Sequence, residues 1–360
     1  MILPMQSLSP VFRVPANSAR FFDDYNEAVA ENLGEIHLIW DVDNEIVVNE
    51  KFSPDLVRYD SKYCTLVSSI GSNYKIPTLD YIDKVLEFTT EKPVVIDIGC
   101  GQGEFVFALR DKGFNAFGFD PVVRSRSPYL QRKYWDSLDL IGDLYVMRCV
   151  LPHIQNPWKF LEQISISAPK ALVLIEFQRL EWILEHRIWY QISHDHVNLF
   201  SISDFVKRYT VVDSGTFAEG EWGWVLIDPS DCIKTQASFP ESYASSFAEL
   251  FLNKEKFLNC LAKSEPPIAI WGAAGKGVVL AHALLALRGE FLAIDADLHR
   301  WGYFLEASGS KVLSPGEAVE NLASDTLILV CDPNHIEEIK KYVQGKFEVR
   351  LPREIVLDNW

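Results

Sequence analysis

No apolar run in the 360 residues reaches the roughly 20 that a membrane-spanning helix needs, so no membrane span is expected. The opening residues, Met1-Ile2-Leu3-Pro4-Met5-Gln6-Ser7, lack a basic region followed by an apolar core. No secretory signal is therefore expected, and cytoplasmic residence is the default. Positive charge is scarce: 34 Lys and Arg stand against 50 Asp and Glu, a formal net charge of −16. A field of that sign repels phosphate backbones and argues against a nucleic-acid partner. It leaves room for a small anionic ligand held by a few local donors. The six cysteines, Cys64, Cys100, Cys149, Cys232, Cys260 and Cys331, include no C-x-x-C pair. Their scatter argues against a zinc ribbon and against a disulfide framework. Short-period repeats and low-complexity segments are also absent.

What is present is a balanced globular composition. Hydrophobic residues make up 48% of the chain, and the length suits two or three domains. Residues 1–75 read as an irregular leading module, with short strands at Gly34–Trp40 and Glu45–Val48 around the turn residues Asp41 to Asn44. From 76 to 230 strands alternate with helices. A helix is expected at Leu79–Phe88, strands at Val94–Ile98, Ala116–Asp120, Asp143–Val150 and Ala171–Phe177, and late strands at Tyr209–Val212 and Trp222–Ile227. This order predicts an α/β fold with a doubly wound, mostly parallel sheet. A polar stretch separates it from residues 240–360. There a second alternation begins with a helix near Tyr243–Lys263 and strand Ile268–Trp271, and predicts a smaller Rossmann-like unit.

Two glycine loops follow apolar strands and precede helices. The first is Asp97-Ile98-Gly99-Cys100-Gly101-Gln102-Gly103. Its glycines permit a sharp turn and close backbone approach to a ligand. Asp97 can accept a hydrogen bond from a cationic ligand group. An NAD fingerprint needs a glycine three positions after Gly101, where Glu104 stands. Asp120, which closes the next strand and precedes Pro121, can hold both hydroxyls of a ribose, but both kinds of nucleoside cofactor use such an acid. The second loop is Gly272-Ala273-Ala274-Gly275-Lys276-Gly277. It is no Walker A loop, because Val278 and Val279 stand where Ser or Thr is required. What remains is a backbone nest with one cation, suited to an anion such as a diphosphate.

The densest polar constellation is Ser193-His194-Asp195-His196-Val197-Asn198-Leu199-Phe200, which holds two of the eight histidines. Histidine is a suitable proton acceptor at neutral pH, and Asp195 could orient an imidazole or hold a substrate hydroxyl. On a strand, His194 and His196 would face one side and Asp195 the other. No third ligand stands at supportive spacing, so no metal is expected.

The first loop with Asp120 resembles class I S-adenosylmethionine-dependent methyltransferases, and more distant features resemble their nucleotide-sugar C-methyltransferase branch. The resemblance implies a Rossmann-like methyltransferase domain, a smaller C-terminal Rossmann-like domain and a small N-terminal cap. It implies S-adenosylmethionine as cofactor, held by Asp97, Gly99, Gly101, Gly103, Asp120 and Pro121. His153, in Arg148-Cys149-Val150-Leu151-Pro152-His153, falls in the segment that passes beside the cofactor; packing or capping is an equal reading of it. Asp136 and Asp139 are candidates for the adenine. His196 falls on the family's proposed base, with Asp195 in place of its usual Glu. Ser193 replaces the usual Tyr, a departure in the substrate site. His194, Tyr59, Tyr63 and the loop residues Gly275, Lys276 and Gly277 would bind the substrate, a nucleotide-activated ketosugar; aromatic packing reads Tyr59 and Tyr63 equally well. Trp40 and Asp43 occupy two of the family's zinc-cysteine places, so the cap is expected to be metal-free. Methylation at carbon or at oxygen stays open, because one base serves both. An NAD-dependent oxidoreductase and a non-catalytic sugar-nucleotide binder are the rival readings.

Overall fold

The computed structural model describes residues 6–63, 93–233, 239–264, 266–289 and 291–357. The helix expected at Leu79–Phe88, the boundary at 75–76 and Cys64 lie outside the described residues.

The leading module forms strands β1 (Gln6–Ser7), β2 (Phe12–Pro15) and β3 (Phe21–Phe22), helix α1 (Tyr25–Val29), and strands β4 (Leu33–Ile36), β5 (Leu38–Asp41) and β6 (Ile46–Asn49). The middle domain runs β7 (Val94–Ile98), α2 (Glu104–Asp111), β8 (Asn115–Phe119), β9 (Leu130–Gln131), β10 (Leu144–Arg148), α3 (Pro157–Ser167), β11 (Leu172–Gln178), α4 (Leu180–His186), β12 (Asn198–Leu199), α5 (Ile202–Val206), β13 (Tyr209–Phe217) and β14 (Trp222–Cys232). The last unit comprises α6 (Glu241–Lys263), β15 (Ile268–Trp271), α7 (Lys276–Arg288), β16 (Leu292–Ile294), β17 (Phe304–Leu305), β18 (Val312–Leu313), α8 (Pro315–Asn321), β19 (Leu327–Val330), α9 (Ile336–Val343), β20 (Glu348–Arg350) and α10 (Pro352–Leu357).

The middle sheet has the order β13-β14-β11-β10-β7-β8-β9. Its pairings are parallel except the last two: β14 runs antiparallel to β11, and β13 antiparallel to β14. The chain steps outward from β7 through β8 and β9, then returns to β10 on the other side. The carboxyl ends of β7 and β10 therefore diverge into a crevice, the usual ligand position in open α/β sheets. The central strands are apolar on both faces because helices cover both. One face packs Ile96, Met147, Ile175 and Trp158, the other Val95, Val146, Leu174 and Phe105. The last unit repeats the plan in the parallel order β18-β16-β15-β19-β20, with its own crevice between β15 and β19.

The described part of the leading module is interwoven with both units. β12 of the middle domain adds to its sheet as a strand antiparallel to β6, and β3 pairs with β17 of the last unit. One apolar cluster joins Leu38 and Trp40 to Leu180–Ile192 and to Ile270, Val279 and Leu284. The strands here are two to four residues long, too short to show alternation, which is why the segment reads as irregular in the sequence. Among the described residues no helix is long and apolar enough to cross a membrane.

Candidate active site

The two crevices face one another across a cavity of about 620 Å³. From the middle domain it is lined by Gly99 and Gly101 after β7, Asp120 and Pro121 after β8, Arg148 at the end of β10, His153, and Glu176 of β11. Gln191, Ser193 and His196 form another wall. Gly275, Lys276, Asp332 and His335 come from the last unit, and Ser18, Tyr59 and Tyr63 from the leading module.

The first glycine loop is shaped by sterics. Gly99 has φ +74°, and a Cβ there would stand 2.3 Å from Val150 Cγ2. Gly101 N–H donates to Asp120 Oδ2 at 2.9 Å, and Val122 N–H donates to Asp120 Oδ1 at 2.8 Å. Asp120 thus ties the two turns together while lining the cavity. Gly103 does a different job from the cofactor contact expected of it. It caps α2 at φ +93°, and a Cβ would strike Leu130, not a ligand. Asp97 is also set back, 2% exposed and outside the lining. Burial pushes its carboxyl up to about 7 against the pull of Arg148, with Asp120 and Glu176 adding to the rise. Asp136 and Asp139 do not reach the cavity. Asp136 accepts from Leu138 N–H, and Asp139 accepts from Asp136 N–H and pairs with Lys133. Tyr134 and Trp135 line the cavity on that side instead.

The histidine segment departs from its sequence reading. Residues 193–197 are irregular, with a bend at His194 and Asp195, and not a strand, so positions two apart need not share a face. His194 turns away from the cavity and is fully buried. Its Nδ1 lies 3.0 Å from Glu35 O, Ser53 N–H donates to its Nε2 at 3.2 Å, and its ring packs on Phe52. His194 is therefore a fastener between the leading module and the middle domain, not a substrate ligand. His196 points the other way, into the cavity.

His153 joins His196 from 43 positions upstream, in the one-turn helix Leu151–His153 after β10. The two rings meet edge to face at 4.6 Å. His153 Nδ1 donates to Asp195 O at 2.7 Å, which leaves its Nε2 without a proton while the imidazole is neutral. Tyr59 stands edge-on to His153 at 6.1 Å and to Tyr63 at 5.0 Å. Asp195 lies behind the pair, 1% exposed, accepting from Ser18 N–H and Ser18 Oγ–H. Burial would raise its carboxyl, but His196, His153 and Ser18 hold it below the usual carboxylate range. His196 is pushed down to about 4 by burial and by His153, against the opposing pull of Asp195. Ligand atoms of His153, Asp195 and His196 lie within 4.8 Å of one another, a set that a divalent cation could bridge. The sequence reading placed His153 beside the cofactor but gave no sign that it meets His196, because the approach depends on how the segment after β10 packs against the bend.

The second loop also differs from expectation. Lys276 Nζ lies 2.7 Å from Glu221 Oε1 and 3.1 Å from Asp332 Oδ2, so the cation foreseen for an anionic substrate is already paired. Glu221 is pushed up to about 7 by burial, with Lys276 opposing and Asp332 adding to the rise. Gly277 does not line the cavity; a Cβ there would overlap Gly272 O at 1.7 Å, so it serves the turn itself. Arg148, the other lining cation, pairs with Glu176 at 3.1 Å.

Residues 73–209 match the family model of a methyltransferase domain. No curated protein matches the chain. Solved structures similar to it include a Pyrococcus horikoshii protein, at 15% identity, TM-score 0.30, and coverage of 45% of this chain and 97% of that one. A Haloferax volcanii putative methyltransferase, in complex with the Trm112 activator, shares 15% identity over 44% of this chain and 90% of that one, at TM-score 0.34. The Burkholderia thailandensis 1,6-didemethyltoxoflavin-N1-methyltransferase, with bound 1,6-didemethyltoxoflavin and S-adenosylhomocysteine, shares 15% over 38% and 69%, at TM-score 0.30.

Proposed function

We propose, from a chain whose residues 73–209 are a methyltransferase domain, that the protein transfers the methyl group of S-adenosylmethionine to a sugar or sugar-like small molecule, with His196 as general base. The observation that carries this reading is a single cavity in which a glycine turn with a strand-end carboxylate faces the His196 imidazole. The donor set fits the cofactor. Its lining holds four carboxylates, Asp120, Glu176, Glu221 and Asp332, against two cations, Arg148 and Lys276, a balance that suits a cationic sulfonium. A cavity of about 620 Å³ falls within the usual range for small-molecule sites.

Asp120 would hold the ribose, and the Gly99–Gly101 turn would lie along the amino-acid part of the cofactor. When bound, the cofactor supplies an electrophilic methyl group and leaves as a neutral thioether. The chain's own task is to align the acceptor and to make its reacting atom electron-rich. His196 takes a proton from the acceptor, either from a hydroxyl or from a carbon beside a ketone. The proton rests on the imidazole, and the electron pair it leaves forms the new bond to the methyl carbon. Asp195 stabilises the imidazolium through its charge and holds the bend through Ser18. Tyr59 and Tyr63 close the far wall.

The test is a mass-spectrometric screen of sugars and related small molecules, free and nucleotide-linked, for a gain of one methyl together with S-adenosylhomocysteine. Calorimetry with S-adenosylhomocysteine and with NADH runs beside it. Tight NADH binding without S-adenosylhomocysteine binding would refute the reading.

A further inference from the structure

The loop Gly272–Gly277 stands at the switch point of the C-terminal sheet, where open α/β folds commonly hold anionic ligands. Four of its six backbone donors are already spent inside the protein. Gly272 N–H donates to Ile294 O at 2.8 Å, Gly275 N–H to Ser18 O at 2.7 Å and Gly277 N–H to Ala274 O at 3.0 Å. Ala273 N–H donates to Asp295 Oδ2 at 2.7 Å, and Asp295 is itself paired with Arg300 at 2.8 Å.

The lysine is equally committed. Glu221, 1% exposed, reaches Lys276 from the β13–β14 hairpin of the middle domain, and Asp332 reaches it from the end of β19. The other Glu221 oxygen accepts from Asn334 Nδ2 at 2.9 Å. With one cation against two carboxylates, the cluster has no positive surplus whether Glu221 is ionised or not. Arg148 is tied to Glu176 in the same way. Among the described residues, each Lys or Arg that lines the cavity is therefore ion-paired.

We propose that the methyl acceptor is an unphosphorylated polar molecule, neutral or amine-bearing, and that Glu221 and Asp332 set this selectivity by occupying Lys276. The proposal rests on the methyl-transfer reading above. An incoming phosphate or diphosphate would meet one buried and one half-buried carboxylate and would have to displace one of them to reach the lysine. A hydroxyl or an ammonium meets no such barrier.

Calorimetric titration with inorganic pyrophosphate, with and without saturating S-adenosylhomocysteine, should give no saturable heat at millimolar concentration. The double variant Glu221→Gln/Asp332→Asn keeps the side-chain shapes and leaves Lys276 without a counter-ion. It should gain pyrophosphate affinity by about tenfold or more, and adding Lys276→Met should remove the gain. Should the double variant fold poorly, Asp332→Asn alone, at the more exposed carboxylate (22%), should move affinity in the same direction. Saturable binding of pyrophosphate or uridine diphosphate by the unaltered protein, lost in Lys276→Met, would overturn the proposal. So would preferential methylation of a nucleotide-linked sugar over the free sugar. Failure of S-adenosylhomocysteine to bind would instead overturn the methyl-transfer reading, and the pyrophosphate titration would remain readable without it.

Discussion

His196 offers a direct test that needs no knowledge of the acceptor. Its imidazole is pushed down from 6.5 to about 4, by burial first and by His153 second, with Asp195 opposing. At pH 7 an unperturbed histidine is protonated about a quarter of the time, whereas one titrating near 4 is protonated about once in a thousand. His196 therefore enters the reaction almost wholly as a base. Ring-carbon NMR of histidine-labelled protein should show one resonance titrating near pH 4 that vanishes in His196→Gln. Removing the opposing charge in Asp195→Asn should lower that midpoint further. Removing the neighbouring imidazole in His153→Gln, which keeps a donor for Asp195 O, should raise it. Once an acceptor is in hand, His196→Gln should lower kcat by about 10²–10⁴-fold, the usual span for a positioned base, with S-adenosylhomocysteine affinity unchanged. The acid limb of the rate should lie near pH 4. A midpoint or rate limb at 6.5 or above would refute the argument from burial. Full activity of His196→Gln would remove it as the base.

Three further outcomes follow from the geometry. Asp120→Ala frees the Gly101 and Val122 amides and removes the ribose partner, so calorimetry should show S-adenosylhomocysteine affinity falling by at least about tenfold; an unchanged value would end that assignment. Gly34→Ala would put a Cβ 2.1 Å from His194 Cγ and should cost roughly 1–3 kcal/mol in thermal denaturation, as overpacking does; an unshifted Tm would mean that His194 is not the fastener described. Glu306, which accepts from Asn17 N–H at 3.0 Å, is pushed up to about 8 by burial. Its folded value lies above its unfolded value of 4.5, so its stabilising effect is complete below pH 4.5 and is lost as pH rises through about 8. Glu306→Gln mimics the protonated form. It should match the parent near pH 4.5 and exceed it above pH 8 by an amount on the order of 4 kcal/mol in urea titrations; equal stability at both pH values would contradict this.

Several site features were legible because they are local. An apolar strand, a glycine turn and a helix start lie within a dozen residues of one another, and strand periodicity puts Asp120 at the end of the next strand. Helix α9 at Ile336–Val343 is also set by its own periodicity. Helix α3 was missed although Pro157 sits at its first turn, a recognised start signal. The error over His194 has a definite cause: the two-residue alternation that would pair it with His196 holds only for a strand, and the backbone bends there.

The sequence by itself determined the α/β class, the two glycine turns and the proximity of His196 to Asp195, because each depends on residues within one or two elements. Only the tertiary structure decided which of those groups meet. His153 reaches His196 because β10 ends beside the bend, and His194 leaves for the leading module because Gly34 makes room for its ring. Lys276 is paired because two sheets dock with their carboxyl edges facing, which brings Glu221 and Asp332 to it from different units. Local periodicity carries no information about such docking. The charge left available to a ligand is settled by it all the same, since a lysine that reads as an anchor in the sequence becomes a neutralised ion once its partners arrive.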